Sequence, residues 1–180
     1  MLPLARAITR LNRWIGTTLA WLILLIFALL IVDVGMRYAV GRPSIWTSEL
    51  AQLVFGFYAV IGGGYLLAER AHVNVDIFYG RFSRKRKALV DVATSVLFFL
   101  FVAVLLYQSS SMAYESVEKL ETSQSIWHPQ IWPVKVAIPV AGVLILLQGL
   151  VRLWSDVRVL LGLPSDDATF GVQAEDGAAH

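Results

Sequence analysis

The chain has 180 residues, of which 57% are hydrophobic and only 16% charged, with no cysteine and a formal net charge of +2. A water-soluble domain of this size has too little interior to bury that much apolar surface, so the composition excludes an ordinary globular protein and makes lipid the solvent for most of the chain. The lack of cysteine excludes disulfides, thiolate nucleophiles and cysteine-ligated metals.

The apolar residues are gathered into four stretches close to the roughly 20 helical residues that cross a hydrocarbon core. Residues 1–13 form a basic lead with Arg6, Arg10 and Arg13, followed by an uncharged run from Trp14 to Val32. The predicted first span is 14–36. A basic lead before an apolar run also suits a signal peptide, and Ala39, Val40 and Gly41 loosely resemble a cleavage site. An uncleaved anchor is the expectation here, because the run exceeds an ordinary signal core and Asp33 and Arg37 precede the site.

Leu50 to Ala68 is the second uncharged run, bracketed by Glu49 and by Glu69 and Arg70, and it predicts a span over about 49–68. Residues 71–87 follow. Helical spacing places Val75, Phe78, Tyr79 and Phe82 on one face, ahead of the basic cluster Arg84 to Lys87, which reads as an interfacial amphipathic segment on the cytoplasmic leaflet. Beside a span, lipid headgroups explain such a cluster better than nucleic acid, and no nucleic-acid partner is expected.

The third span is predicted over 90–108, within an uncharged run from Val92 to Tyr114. Ser109 to Ile131 is then the longest outer loop, whose first half is able to prolong the third helix beyond the lipid. The fourth span, about 132–154, opens at Trp132 with Pro133 in a helix-start position. Pro139 is expected to kink it, and Gln148 is available for an interhelical hydrogen bond. Residues 163–180, rich in Gly, Ala and acidic residues, are expected to be a disordered tail. The 14–162 segment is thus an all-α integral membrane domain of four transmembrane helices.

Lys and Arg counts set the expected orientation. The lead holds three, the 69–87 segment six and the carboxyl end two, whereas Arg37, Arg42, Lys119 and Lys135 are alone on the opposite side. The positive-inside rule then puts both termini in the cytoplasm of a multi-pass inner-membrane protein. Trp14, Trp46, Trp127, Trp132 and Trp154 fall near predicted span ends, as an aromatic belt requires.

Chemistry inside the spans is sparse. Ionisable groups at membrane depth are functional candidates by default, and Asp33, Glu49 and Asp91 all lie near span ends, where hydration or pairing with an arginine is the simpler role. Asp33 and Arg37 have the i,i+4 spacing for such a pair. His72, His128 and His180 lie outside the spans, which disfavours a haem bundle, and no catalytic or metal-binding spacing can be assembled. No enzyme activity and no cofactor are expected. On the second span Gln52, Gly56, Ala59 and Gly63 share a face, which suits either a docking surface for another protein or packing within the chain. The chain lacks the internal repeat and midplane charges of a complete carrier.

Three segments carry a family resemblance. They are Trp46, Thr47, Ser48, Glu49 opening the second span; Glu69, Arg70, Ala71, His72, Val73, Asn74, Val75, Asp76 after it; and Ile131, Trp132, Pro133 running into Ala137, Ile138, Pro139. In that order around four spans, over residues 10–160, they resemble the small membrane subunit (Q, DctQ-type) of tripartite ATP-independent periplasmic (TRAP) transporters. The resemblance implies a scaffold for a large membrane subunit, which carries the substrate and sodium sites. A periplasmic substrate-binding protein would deliver an organic acid, commonly a C4-dicarboxylate, for symport. It also implies subunit-interface or structural roles for Glu49, Gln52, Gly56, Gly63, Arg70, His72 and Asp76, and docking of the binding protein near Trp127 and Trp132. Two other classes are compatible with the residues alone: a self-sufficient proton-coupled transporter, which needs an essential membrane carboxylate such as Asp33, and a structural anchor of a membrane enzyme complex.

Overall fold

The computed structural model describes residues 2–68 and 84–162. The described residues form five helices: α1 (Leu2–Ala20), α2 (Leu22–Ala39), α3 (Thr47–Ala68), α4 (Arg84–Glu118) and α5 (Trp132–Leu160). No strand occurs among the described residues, only an isolated bridge between Thr122 and Gln130. Four helical stretches are long and apolar enough to cross a bilayer, because Pro3–Ala39 counts as one, interrupted only at Trp21. This is the all-α, four-span membrane architecture expected from the apolar runs.

The contacts fix the relative directions. Thr47 meets Asp33 and Tyr65 meets Gly16, so α3 runs antiparallel to α1 and α2. Gly56 faces Val134 and Gly64 faces Leu144, so α3 and α5 run parallel. Leu106 meets Gly142 and Phe98 meets Gly149, so α4 runs antiparallel to α5. Helix α5 is the hub, packed against α4, α3 and α1, whereas α4 packs chiefly on α5 and turns its other faces outward. Val96, Leu97, Leu100, Phe101 and Val104 on α4, and Leu24, Phe27 and Ile31 on α2, are exposed as lipid-facing residues must be.

The basic lead is itself helical and packed. Ala5, Thr9, Asn12 and Gly16, at steps of four, three and four, form the buried edge of α1, while Arg6 and Arg10 stay outside. A helix over 2–39 is about 55 Å long at 1.5 Å per residue, well beyond a hydrocarbon core of about 30 Å. The lead therefore forms the end of the bundle on that side. Arg84 to Lys87 are the first turn of α4 rather than part of a separate surface segment, and residues 71–83 of the expected amphipathic element lie outside the described residues. Helix α5 continues through Pro139, and α4 runs on to Glu118, past the hydrocarbon boundary expected near Tyr107.

The interior is held by polar bonds between helices. Asn12, 1% exposed, donates to the Gln148 side-chain oxygen at 3.1 Å, and Gln148 donates to the Thr9 hydroxyl at 3.4 Å. Gly64 makes room for them, since a Cβ there would lie 2.5 Å from the Asn12 carbonyl oxygen. Gln148 thus makes the interhelical bond its position permits. Interhelical hydrogen bonds in membranes are worth about 0.6 to 2 kcal/mol. Gln148→Leu should lower the unfolding free energy in mixed micelles by about 1–2 kcal/mol, because it removes both interhelical bonds and leaves the Asn12 amide only the Ile8 carbonyl of its own helix, at 3.3 Å. The Asn12→Leu, Gln148→Leu double variant should lose less than the sum of the single changes, measured by denaturation in graded SDS.

Three helices end on a residue with positive φ. Gly41 (φ 70°) follows α2 and Gly162 (φ 71°) follows α5, but the equivalent position after α4 is Leu120 (φ 45°). There Leu120 N–H bonds to the Val117 carbonyl at 3.1 Å and Glu121 N–H to the Ser116 carbonyl at 2.9 Å, the paired closure of a Schellman motif. The left-handed conformation costs an L-residue about 1–2 kcal/mol, and the Leu120 side chain is exposed, so little packing offsets it. Leu120→Gly should therefore leave the fold unchanged and raise stability by up to about 1 kcal/mol in the same denaturation measurement.

Candidate functional site at the loop end of the bundle

The α2–α3 and α4–α5 connections meet at one end of the bundle, where three of the sequence candidates, Glu49, Trp127 and Trp132, come together. The chain from Glu121 to Ile131 closes on itself: Ile131 N–H bonds to the Glu121 carbonyl at 3.0 Å, Ser123 N–H to the Pro129 carbonyl at 2.8 Å, and His128 N–H to the Ser125 carbonyl at 3.3 Å. His128 has a left-handed backbone (φ 50°), and its Nδ1 lies 3.1 Å from the Ser123 carbonyl oxygen. These bonds make the loop a compact hairpin.

Four contacts tie the hairpin to the helices and to the residue just before α3. The Ser125 hydroxyl donates to Glu49 at 2.5 Å, so this carboxylate at the start of α3 serves as the hairpin's anchor. Trp127 packs on Trp46, with ring centroids 6.5 Å apart and planes inclined by 54°. Lys135, in the first turn of α5, donates to Glu121 at 2.6 Å. Trp132 donates its indole N–H to the Gln130 side chain at 3.1 Å, which keeps the ring against the hairpin's return strand.

The ionisable candidates inside the span ends are all paired. Asp33, 8% exposed, accepts from the fully buried Thr47 hydroxyl at 2.8 Å and pairs with Arg37 at 3.3 Å. It locks the end of α2 to the start of α3. Asp91 pairs with Arg152 at 3.5 Å, joining α4 to α5 at the opposite end of the bundle. Neither carboxylate lies unpaired along a membrane-crossing path.

The stripe read on α3 divides. Gly56 and Gly63 face Val134 and Ile145 of α5, which makes them packing positions of this chain, while Gln52 and Ala59 are exposed. Arg70, His72 and Asp76 lie outside the described residues. Sequence reasoning missed Ser125 as the partner of Glu49, the Glu121–Lys135 pair, and Thr9 and Asn12 as partners of Gln148. The loop contacts join residues 76 and 14 positions apart with no spacing signal. The α1 positions did carry one, the four-three-four period hidden among arginines.

This arrangement has no catalytic geometry: its carboxylates hold hydroxyls and ammonium groups, and its aromatic residues pack on each other. It is a built surface on a membrane bundle. Residues 26–159 match the sequence family described as tripartite ATP-independent periplasmic transporters, DctQ component. The chain belongs to this family. It is similar to the sialic acid TRAP transporter small permease protein SiaQ of Vibrio cholerae, 23% identical over 155 residues that cover 84% of this chain and 86% of that one. It is also similar, at 28% identity over 100 residues, to the sialic acid TRAP transporter permease protein SiaT of Haemophilus influenzae, a match covering 56% of this chain and 15% of that one. This DctQ-type chain is therefore a small permease subunit of a TRAP transporter and a multi-pass membrane protein, a transport component rather than an enzyme. Both relatives are named for sialic acid, and neither for a C4-dicarboxylate.

The Glu121–Lys135 pair gives the loop a pH dependence. The Lys135 ammonium group, 2.6 Å away, holds the Glu121 carboxyl below its ordinary value of 4.5. A carboxyl whose folded value is depressed stabilises the fold above its unfolded value and loses that contribution as pH falls through the folded value. Above pH 4.5 the pair's contribution is fully present, so amide protection factors across Glu121–Ile131 should be constant near neutrality and fall only below pH 4.5. Lys135→Met should give fast exchange in the loop already at pH 7.

Proposed function

We propose that this DctQ-type subunit is the fixed scaffold of its transporter: it holds a large membrane subunit in place while that subunit carries out sodium-coupled, binding-protein-dependent import of an organic acid. The observation that carries this reading is the use made of the buried polar groups. Thr9, Asn12, Gln148, Asp33 and Thr47 are bonded to each other between helices, which locks register and leaves them as structure rather than as an ion path. In this reading sodium is bound by the large subunit and the small subunit holds no cofactor. Both termini face the cytoplasm, as the Lys and Arg distribution favours.

The large subunit has a suitable surface on α3. Gln52, Phe55, Ala59, Gly62 and Leu66 form one outward stripe at steps of three and four, and a Cβ on Gly62 would meet nothing within 4 Å. Small residues flanked by a free amide permit close approach of a second backbone and supply an interhelical hydrogen bond. Arg70, His72 and Asp76 join this interface on their motif alone. The match to a short part of the much longer SiaT permease supports the pairing, since it places a similar segment in one chain with a larger permease. The periplasmic binding protein meets the loop end, where Trp127 and Trp132 hold the hairpin's shape and Glu115 and Lys119 form its polar lip. A carboxylate-bearing substrate is the common ground between the dicarboxylates of the family resemblance and the sialic acid of the named relatives.

Uptake into proteoliposomes tests the whole reading. With binding protein, sodium and either a dicarboxylate or sialic acid outside, transport should require this chain together with its large partner, and transport by this chain alone would overturn the proposal. Ala59→Trp should reduce co-purification with the large partner on the order of tenfold, equivalent to about 1.4 kcal/mol, while leaving insertion and thermal stability unchanged. Asp33→Asn should retain uptake and lower stability, the reverse of what a proton-carrying carboxylate would do.

A further inference from the structure

Between Glu121 and Lys135 the hairpin contains no acidic or basic residue apart from His128. This is unusual for an extramembrane loop, which ordinarily draws its solubility from charge. The tip is also strongly apolar on its outer side: Ile126 is 83% exposed, and Ile45, Trp46 and Trp127 stand exposed beside it. Three internal backbone bonds, Ser123 to Pro129, His128 to Ser125 and Ile131 to Glu121, hold the hairpin closed. A closed hairpin with apolar side chains outward, whose remaining backbone groups can bond to water and headgroups, suits the boundary between lipid and water.

Position decides the occupant. Trp46 directly precedes α3, which begins at Thr47 and enters the membrane there, and the Trp46–Trp127 contact pins the hairpin at that level. The Ile45, Trp46, Ile126 and Trp127 patch is thus continuous with the lipid-facing surface of the bundle. Indole rings favour the headgroup level, where the ring is shielded and the N–H remains solvated.

We propose that the 122–130 hairpin is a membrane contact in its own right, seated with Ile126 and Trp127 in the headgroup region of the leaflet that α3 enters. It acts as a non-spanning anchor. Its bilayer contact would hold the hairpin at a fixed height and direct the polar lip at Glu115 and Lys119 away from the membrane.

The natural absence of cysteine makes the test direct. Single Ile126→Cys, Val104→Cys and Lys119→Cys variants of the full chain are nitroxide-labelled, reconstituted in vesicles of phosphatidylethanolamine and phosphatidylglycerol, and compared for collision with oxygen and with a water-soluble nickel chelate. Val104 reports hydrocarbon and Lys119 reports water, both being exposed side chains. The label at 126 should show an oxygen-to-nickel collision ratio several-fold above that at 119, approaching that at 104. A ratio equal to that at 119 would overturn the proposal. So would a nickel-accessible label that becomes shielded only when binding protein is added, since the tip would then be a protein-docking site. Adding Trp127→Ser should lower the ratio at 126 toward the water value while the Val104 control keeps its own, so that loss of the anchor is distinguished from failure of the bundle to insert.

Discussion

A polar group inside a bilayer has no water to fall back on, and this constraint organises the bundle. Removing one partner of a buried pair leaves the other unsatisfied, which makes each pair a specific registration device rather than a source of bulk stability. Asn12, Gln148 and Thr9 fix α1 against α5 at one depth, and Asp33 and Thr47 fix α2 against α3 at another. With α1 and α2 forming a nearly continuous rod, two points suffice to set both its height and its rotation. Glycines then determine how closely the helices approach. Gly149 admits the Phe98 ring, and a Cβ there would lie 2.3 Å from it, so α4 can lie flat on α5 only where α5 lacks a side chain.

The same economy governs the ends. The two aspartates near the span ends are matched to a hydroxyl or a cation on a neighbouring helix or one turn away: Asp33 to Thr47 and Arg37, and Asp91 to Arg152. Glu49 holds Ser125 across the loop interface. Such pairs resist motion, because sliding a helix by one residue separates partners that have nowhere else to bond. A subunit built this way is a poor moving part and a good frame. In the proposed scaffold role, that is the physical content of a division of labour with a large membrane subunit.

How much of this was legible depended on the range of the signal. Uncharged runs between charges marked the spans because hydrocarbon thickness is a local constraint on composition, and Gln148 declared itself because an amide in such a run needs a partner. The packed lead was partly legible: Ala5, Thr9, Asn12 and Gly16 have helical spacing, but Arg6, Arg10 and Arg13 between them read as a topological signal and drew attention to solvent. The α3 stripe was read as one face, yet it straddles an edge. At about 100° per residue Gly56 and Gly63 turn toward α5, whereas Ala59 falls on the open side with Phe55 and Gly62. The Glu49–Ser125 and Trp46–Trp127 contacts were not legible, because the loop that makes them is placed by α4 and α5, and no local pattern encodes where two helices deliver the chain between them.

The two outward surfaces of the subunit follow from what the inward ones consume. Once α5 is committed to α1, α3 and α4, the side of α3 bearing Gln52, Ala59 and Gly62 offers both small residues and an exposed amide at the edge of the hydrocarbon. Leucines and phenylalanines on α2 and α4, by contrast, are as well served by acyl chains as by protein, so lipid exposure of those helices costs little. An amide gains from a protein partner what lipid cannot give it. The polarity of the exposed faces, rather than their hydrophobicity, therefore distinguishes the side that a second subunit would cover from the sides left to the bilayer.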